Sequence, residues 1–263
     1  MKPPIYDRSI ATHYDLASSS VTYDIEFWKG LASECVYPDG HALELGCGTL
    51  RVLIPVAQAG VRVTGIDNSP DMLELGREKL AACPPEVQER VTLVEGDVRS
   101  LAFDDGRFNF IYMPFNTLPM VPALADQLAL FAAVREHLAP GGRFALDVIV
   151  PDLERMGQKN LWQLVADTSD PATGRRYQRD ARYDIDLGSQ MMRAVYRRRL
   201  YQDNLLVEET LVDFEAALIF PREIEHLVAR SGLVIEQLWG DFARTDFRAL
   251  RNPRFLVLVA RAA

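Results

Sequence analysis

Residues 41–49 read HALELGCGT, and this stretch decides the fold. HALEL is a short apolar run that stops at glycine, as a buried strand does. The glycines let the chain turn sharply and let a ligand approach the backbone closely. Leu50 to Ala59 then reads as a helix closed by Gly60. Strand, glycine turn and helix in that order predict the first unit of an α/β sheet. Ligands of such sheets bind at the carboxyl ends of the strands, where the strand order switches.

Outward from this unit the alternation continues. Val61 to Ile66 (VRVTGI) is strand-like, Ser69 is a plausible N-cap and Pro70 suits a first helical turn, opening a helix to about Ala82. Further strands are expected at Val91–Val94, Phe108–Tyr112 and Arg143–Val150, with a helix at Ala123–Leu138 closed by Ala139–Gly142. Upstream, Val21 to Leu31 predicts an amphipathic helix. Alternating strands and helices imply a parallel sheet covered on both faces. The rhythm then breaks. Gly174 to Ala216 shows alternating extended segments with turns near Leu187-Gly188-Ser189 and Asp203-Asn204, the pattern of a three-stranded antiparallel meander. A helix from Pro221 to about Ser231-Gly232 and two strands, Leu233–Trp239 and Phe255–Ala260, close the chain.

The turn itself narrows the ligand class. Glu44 directly precedes the glycines, a poor neighbour for pyrophosphate and a good one for a cationic group. A third glycine of the dinucleotide fingerprint is absent, as is the Lys-Ser/Thr of a phosphate loop. Asp67 ends the next strand in GIDNSPDML (residues 65–73), about 20 residues on, where a carboxylate accepts from ribose hydroxyls. Asp97, in EGDV (residues 95–98), could accept from an adenine amino group. Asp67 could instead cap a helix and Asp97 a turn. Three acids at consecutive strand ends favour the ligand reading.

Together ELGCGT, GIDNSPDML, EGDV and LAPGG followed by RFALDV (residues 138–148) resemble the class I S-adenosylmethionine-dependent methyltransferases. Within that family, IYDRSIATHYD and SSSVTYDIEFW resemble small-molecule enzymes such as the sugar N,N-dimethyltransferases. The resemblance implies a doubly wound, seven-stranded, mostly parallel sheet with an inserted antiparallel β lid. It divides a single domain, residues 1–263, into a cofactor-covering segment (1–37), a cofactor-binding core (38–150), the lid (152–219) and a closing helix and strands (220–263). It implies S-adenosylmethionine as cofactor, released as S-adenosylhomocysteine. The residues so matched to the cofactor are Tyr14, Tyr23, Glu44, Gly46, Cys47, Gly48, Asp67, Asn68, Met72, Asp97, Val98 and Met113. Tyr14 and His13 are the candidates nearest the chemistry, His13 as a base for a hydroxyl or carbon acid. One residue departs from the family: Leu50 stands where glycine is usual. Its side chain must crowd the turn or enter the helix–sheet interface.

Composition bounds the partners. A formal charge of −8 argues against a general grip on nucleic acid. Cys35, Cys47 and Cys83 form no CxxC pair, so neither a disulfide framework nor a metal site is expected. No secretory leader is legible and no apolar run nears the roughly 18 residues of a membrane span, so a cytoplasmic protein is expected. Charge is uneven, however. From Gly174 to Tyr201 there are eight arginines (175, 176, 179, 182, 193, 197, 198 and 199) against Asp180, Asp184 and Asp186. Strand alternation sets Arg193, Arg197 and Arg199 on one face and Arg198 on the other. One or two of these arginines are expected to recognise an anionic small molecule, and the others to pair with acids on a solvated face.

The expected function is methyl transfer to an N or O atom of a small metabolite. A non-methylating reaction on the same fold and a non-catalytic binding domain are the alternatives, with RNA or DNA methylation weaker still. A homodimer is left open.

Overall fold

The computed structural model describes residues 11, 14, 15, 18, 21–36, 40–103, 107–152, 154, 157, 161–169 and 173–263. Helix α1 (Ile25–Cys35) leads to β1 (Ala42–Leu45), α2 (Leu53–Gln58), β2 (Val63–Asp67), α3 (Pro70–Ala81), α4 (Pro85–Gln88) and β3 (Val91–Glu95). Then come β4 (Phe108–Met113), α5 (Leu124–His137) and β5 (Leu138–Ile149). Four long strands follow: β6 (Gln163–Ser169), β7 (Arg175–Asp186), β8 (Met191–Gln202) and β9 (Leu205–Ala217). Helix α6 (Pro221–Arg230), β10 (Leu233–Trp239) and β11 (Phe255–Ala262) complete the chain.

Among the described residues, seven strands form one sheet in the order β10-β11-β5-β4-β1-β2-β3. Strand β11 runs antiparallel to β5 and β10, while the pairs among β5, β4, β1, β2 and β3 are parallel. The order reverses beside β1, which opens the crevice where ligands of open sheets bind. Two apolar clusters cover the two faces, one around Leu43, Phe131 and Leu146, the other around Trp28, Leu53 and Tyr112. Burial from both sides explains why β1 is apolar or fully enclosed at every position.

Local chemistry sets the element ends. The Ser69 hydroxyl accepts from the Met72 N–H and caps α3, with Pro70 at its first position, as the sequence predicts. Helix α1 starts at Ile25 rather than Val21 because Val21 and Thr22 close turns of their own, accepting or donating backbone bonds to Ser18 and Ile25. Helix α2 starts at Leu53, three residues late, because Leu50 has φ +66°. A left-handed residue cannot belong to a right-handed helix.

The lid is a four-stranded antiparallel sheet, β6-β7-β8-β9, rather than the expected three-stranded meander. Strand β6 was hidden because QLVADTS is a polar, half-exposed edge strand with no run of large apolar residues. Both expected turns are present, at Leu187–Gln190 and at Asp203-Asn204. Strand β5 begins at Leu138 and so takes in the Ala139–Gly142 stretch expected to be a separate turn, with a register shift against β4 between Phe108 and Phe110.

Candidate active site

The switch point opens into a cavity of about 1,760 Å³. Pockets for one drug-sized ligand usually measure about 300–1,000 Å³, so this one has room for two molecules side by side. Its walls come from the carboxyl ends of β1, β2, β4 and β5, from Tyr14 and Tyr23, from the segment before β11 and from the lid.

The glycine turn is built for close approach. Gly46 and Gly48 have φ +74° and +51°, and a Cβ on Gly46 would meet Thr117 Cγ2 at 2.7 Å. Gly46 N–H and Cys47 N–H both donate to the Ile66 carbonyl, at 2.8 and 3.1 Å, tying the turn to β2. Gly48 N–H donates to Asp67 Oδ2 at 2.8 Å and Ser69 N–H to Oδ1 at 2.9 Å. Each Asp67 oxygen therefore keeps a lone pair for a further donor. Burial raises the Asp67 carboxyl above its ordinary value, against those same N–H groups.

Leu50 turns away from the cavity. It is 1% exposed and packs on α3, where a Cβ on Gly76 would lie 2.7 Å from Leu50 Cγ. The residue that departs from the family thus enters the helix–sheet interface, and a glycine on the facing helix makes room for it.

Glu44 is 2% exposed and accepts from the Tyr112 hydroxyl at 2.6 Å, its neighbour across the β1–β4 register. Burial pushes its carboxyl up to about 8 despite that bond and the nearby Arg51 charge. Asp97, half-buried, is held below the usual carboxylate range by Arg99, which donates to both of its oxygens. Its acceptor capacity is thus shared with a neighbouring guanidinium.

Of the sequence-matched residues, Tyr14, Tyr23, Glu44, Gly46, Cys47, Gly48, Asp67, Asn68, Met72, Asp97 and Val98 all line the cavity. Met113 does not. It is fully buried in the core with Leu43 and Leu146, and the cavity wall is carried by the residues after it, Pro114 to Thr117. His13 lies outside the described residues.

Three side chains escaped the sequence reading. Asp147, on β5, accepts from the Phe115 and Asn116 N–H groups at 2.6 and 3.1 Å. It holds two consecutive left-handed residues, φ +61° and +58°, against the cavity. Burial pushes its carboxyl up to about 7. Arg51 donates to both oxygens of the buried Asp24 and to the Val21 carbonyl, and its guanidinium lies 4.1 Å from the Phe115 ring centre. Together Arg51 and Asp24 pin the segment before α1 onto the glycine turn. A lone acid within the apolar FALDVIV (residues 144–150) was the available signal for Asp147; Arg51 and Asp24 left none.

Among the described residues, no group of three His, Cys, Asp or Glu side chains is disposed to hold a metal ion, and no helix is long and apolar enough to cross a membrane.

Residues 42–142 match the methyltransferase domain family. The cypemycin N-terminal methyltransferase of Streptomyces sp is 31% identical over 156 residues, 59% of this chain and 61% of that protein. The solved structure of the CcbJ methyltransferase from Streptomyces caelestis superposes with a TM-score of 0.78 at 26% identity, covering 98% of this chain and all of the other. Over residues 42–142 the chain is thus similar to the methyltransferase domain family, and over nearly its whole length to a solved methyltransferase structure. SAM-bound CalS10 from Micromonospora echinaspora, an amino pentose methyltransferase, shares the fold at a TM-score of 0.71 and 20% identity, covering the whole of both chains. The chain spans about half to three fifths of the length of the curated relatives it matches.

The cavity fits that family's cofactor. Carboxylates suit the sulfonium and ammonium charges, Asp67 has free acceptor capacity for ribose, and the left-handed glycines clear space beside them.

Proposed function

We propose that the chain transfers a methyl group from S-adenosylmethionine to an N or O atom of a small metabolite. The observation that carries this reading is the set of carboxylates Glu44, Asp67 and Asp97 at three successive strand ends, on the wall of a cavity with room for cofactor and acceptor together. We read the chain as one domain, with the lid closing the acceptor side.

When bound, the cofactor supplies an electrophilic methyl carbon that an acceptor lone pair can attack in line with the sulfur. The protein's task is then positioning, which alone can supply about 7–11 kcal/mol of a barrier. Asp67 holds the ribose, Asp97 takes the adenine side, and Glu44 faces the cationic end. Tyr14, whose ring meets Phe115 edge-on at 6.2 Å, and Tyr23 wall the reacting centre from water. Asp147 fixes the Phe115-Asn116 backbone between cofactor and acceptor. An amine acceptor must arrive unprotonated, whereas a hydroxyl needs a base within reach.

Incubation with S-adenosylmethionine labelled in the methyl group, against a panel of small amines and phenols, tests the reading. S-adenosylhomocysteine and a methylated product should appear in equal amounts. Turnover of an acceptor without S-adenosylhomocysteine would favour a non-methylating use of the site.

A further inference from the structure

The lid has two chemically different faces. On the outer face Arg176 pairs with Asp167, Arg193 with Asp213, and Arg197 and Arg199 both with Asp180. The alternate, inner positions line the cavity, among them Tyr183 on β7, Met192 and Tyr196 on β8, and Phe214 and Ala216 on β9. Across the strands Tyr183, Ala194 and Phe214 stand in one row, and Ala181, Tyr196 and Val212 in the next. Side chains so placed have Cβ atoms about 4.5–5.5 Å apart, and diagonal neighbours stay within reach of aromatic rings. Ala181 and Ala194 are fully buried, and these small residues leave room for the rings beside them.

Tyr196 and Phe214 meet at 4.9 Å between ring centres with their planes 81° apart, and the Arg179 guanidinium lies over the Tyr196 ring at 4.8 Å. Two neighbours therefore fix the orientation of Tyr196. A perpendicular pair of rings forms a corner. A third ring can stack, offset, on one member and meet the other edge-on, the two arrangements that aromatic groups favour. Ile149, at the end of β5, adds an apolar wall: it is 45% exposed and lines the cavity, whereas Val148 before it is buried. Such a side chain is stabilised when a ligand excludes water from it. Tyr23, Phe242 and Phe255 extend the aromatic lining, with ring centres 5.1–5.6 Å apart.

A sugar ring would need carboxylate or amide partners for several hydroxyls. The inner positions Met192, Ala194 and Tyr196 of β8, and Val212, Phe214 and Ala216 of β9, supply neither group. The acids Asp152 and Glu154 line the cavity from the segment after β5 instead. We propose that the lid face at Tyr196 and Phe214 is a subsite for an aromatic ring, and that the methyl acceptor is a small molecule carrying one. This rests on the reading of the cavity as the acceptor site of a methyltransferase.

The test uses 2-naphthol, its saturated counterpart decahydro-2-naphthol, and methyl glucoside, each titrated into the full chain with and without S-adenosylhomocysteine. The naphthol should bind tenfold or more tightly than either of the others. Tyr196→Leu and Phe214→Leu should each remove most of that preference, and Tyr196→Phe, which keeps the ring, should retain it. S-adenosylhomocysteine affinity should be unchanged in all three variants, which also reports an intact fold. The proposal is overturned if the wild type binds the naphthol no better than its saturated counterpart, prefers the glucoside or binds none of the probes. A ring preference unchanged in both leucine variants overturns it too. Ring preference in a chain that fails to bind S-adenosylhomocysteine would uphold the aromatic subsite and count instead against the methyl-transfer reading.

Discussion

Asp67 is a single carboxylate already oriented for a ligand. Its oxygens are oriented by Gly48 and Ser69 N–H groups, leaving lone pairs for two hydroxyls. Hydrogen bonds to charged groups contribute about 1.5–3 kcal/mol each, so Asp67→Ala should weaken S-adenosylhomocysteine by about 100-fold or more in a calorimetric titration. Glu44 makes a prediction of opposite sign for stability. Its folded-state carboxyl titrates near 8, far above an unfolded glutamate, so the folded chain binds the extra proton. Stability contributed by this group is full below about pH 4.5 and falls as pH rises through 8. Glu44→Gln should therefore melt several degrees above the wild type at pH 9 and alongside it at pH 4.5, while binding S-adenosylmethionine more weakly. Such strand-end acids were legible because each follows directly from where a strand stops. Met113 was misread for the same local reason: it ends β4, yet its side chain faces the core and the next residues turn to the cavity.

Elements meet in pairs that sequence spacing cannot reveal. Leu50 and Gly76 are 26 positions apart, and only the packing of the turn on α3 shows that the glycine accommodates the leucine. Gly to Ala inside a helix ordinarily stabilises by up to about 1 kcal/mol. Here Gly76→Ala should destabilise by about 1–3 kcal/mol through overpacking, and Leu50→Gly should remove that penalty, a coupling measurable by chemical denaturation of the double-mutant cycle. Asp147 links β5 to the loop after β4 in the same hidden way. Asp147→Ala strips two N–H groups of their acceptor and frees two left-handed residues, so turnover of an accepted substrate should fall at least tenfold with cofactor affinity little changed. The parallel core was legible because its apolar runs are buried on both faces. Strand β6 was not, since an edge strand with one wet side carries no such signal.

The whole molecule is polarised. An overall charge of −8 conceals acids gathered at the strand ends and arginines gathered on the lid and before β11. Sequence alternation separated Arg198 from Arg193, Arg197 and Arg199, but which face met the cavity depended on how the lid folds over the sheet. The acids at the strand ends suit a cationic cofactor there. The acidic end should therefore hold S-adenosylmethionine, and the rest of the proposed chemistry depends on it. The most direct test is calorimetric titration of the full chain with S-adenosylhomocysteine: one molecule should bind per chain with submillimolar affinity or better, and the absence of binding at millimolar ligand would contradict that assignment.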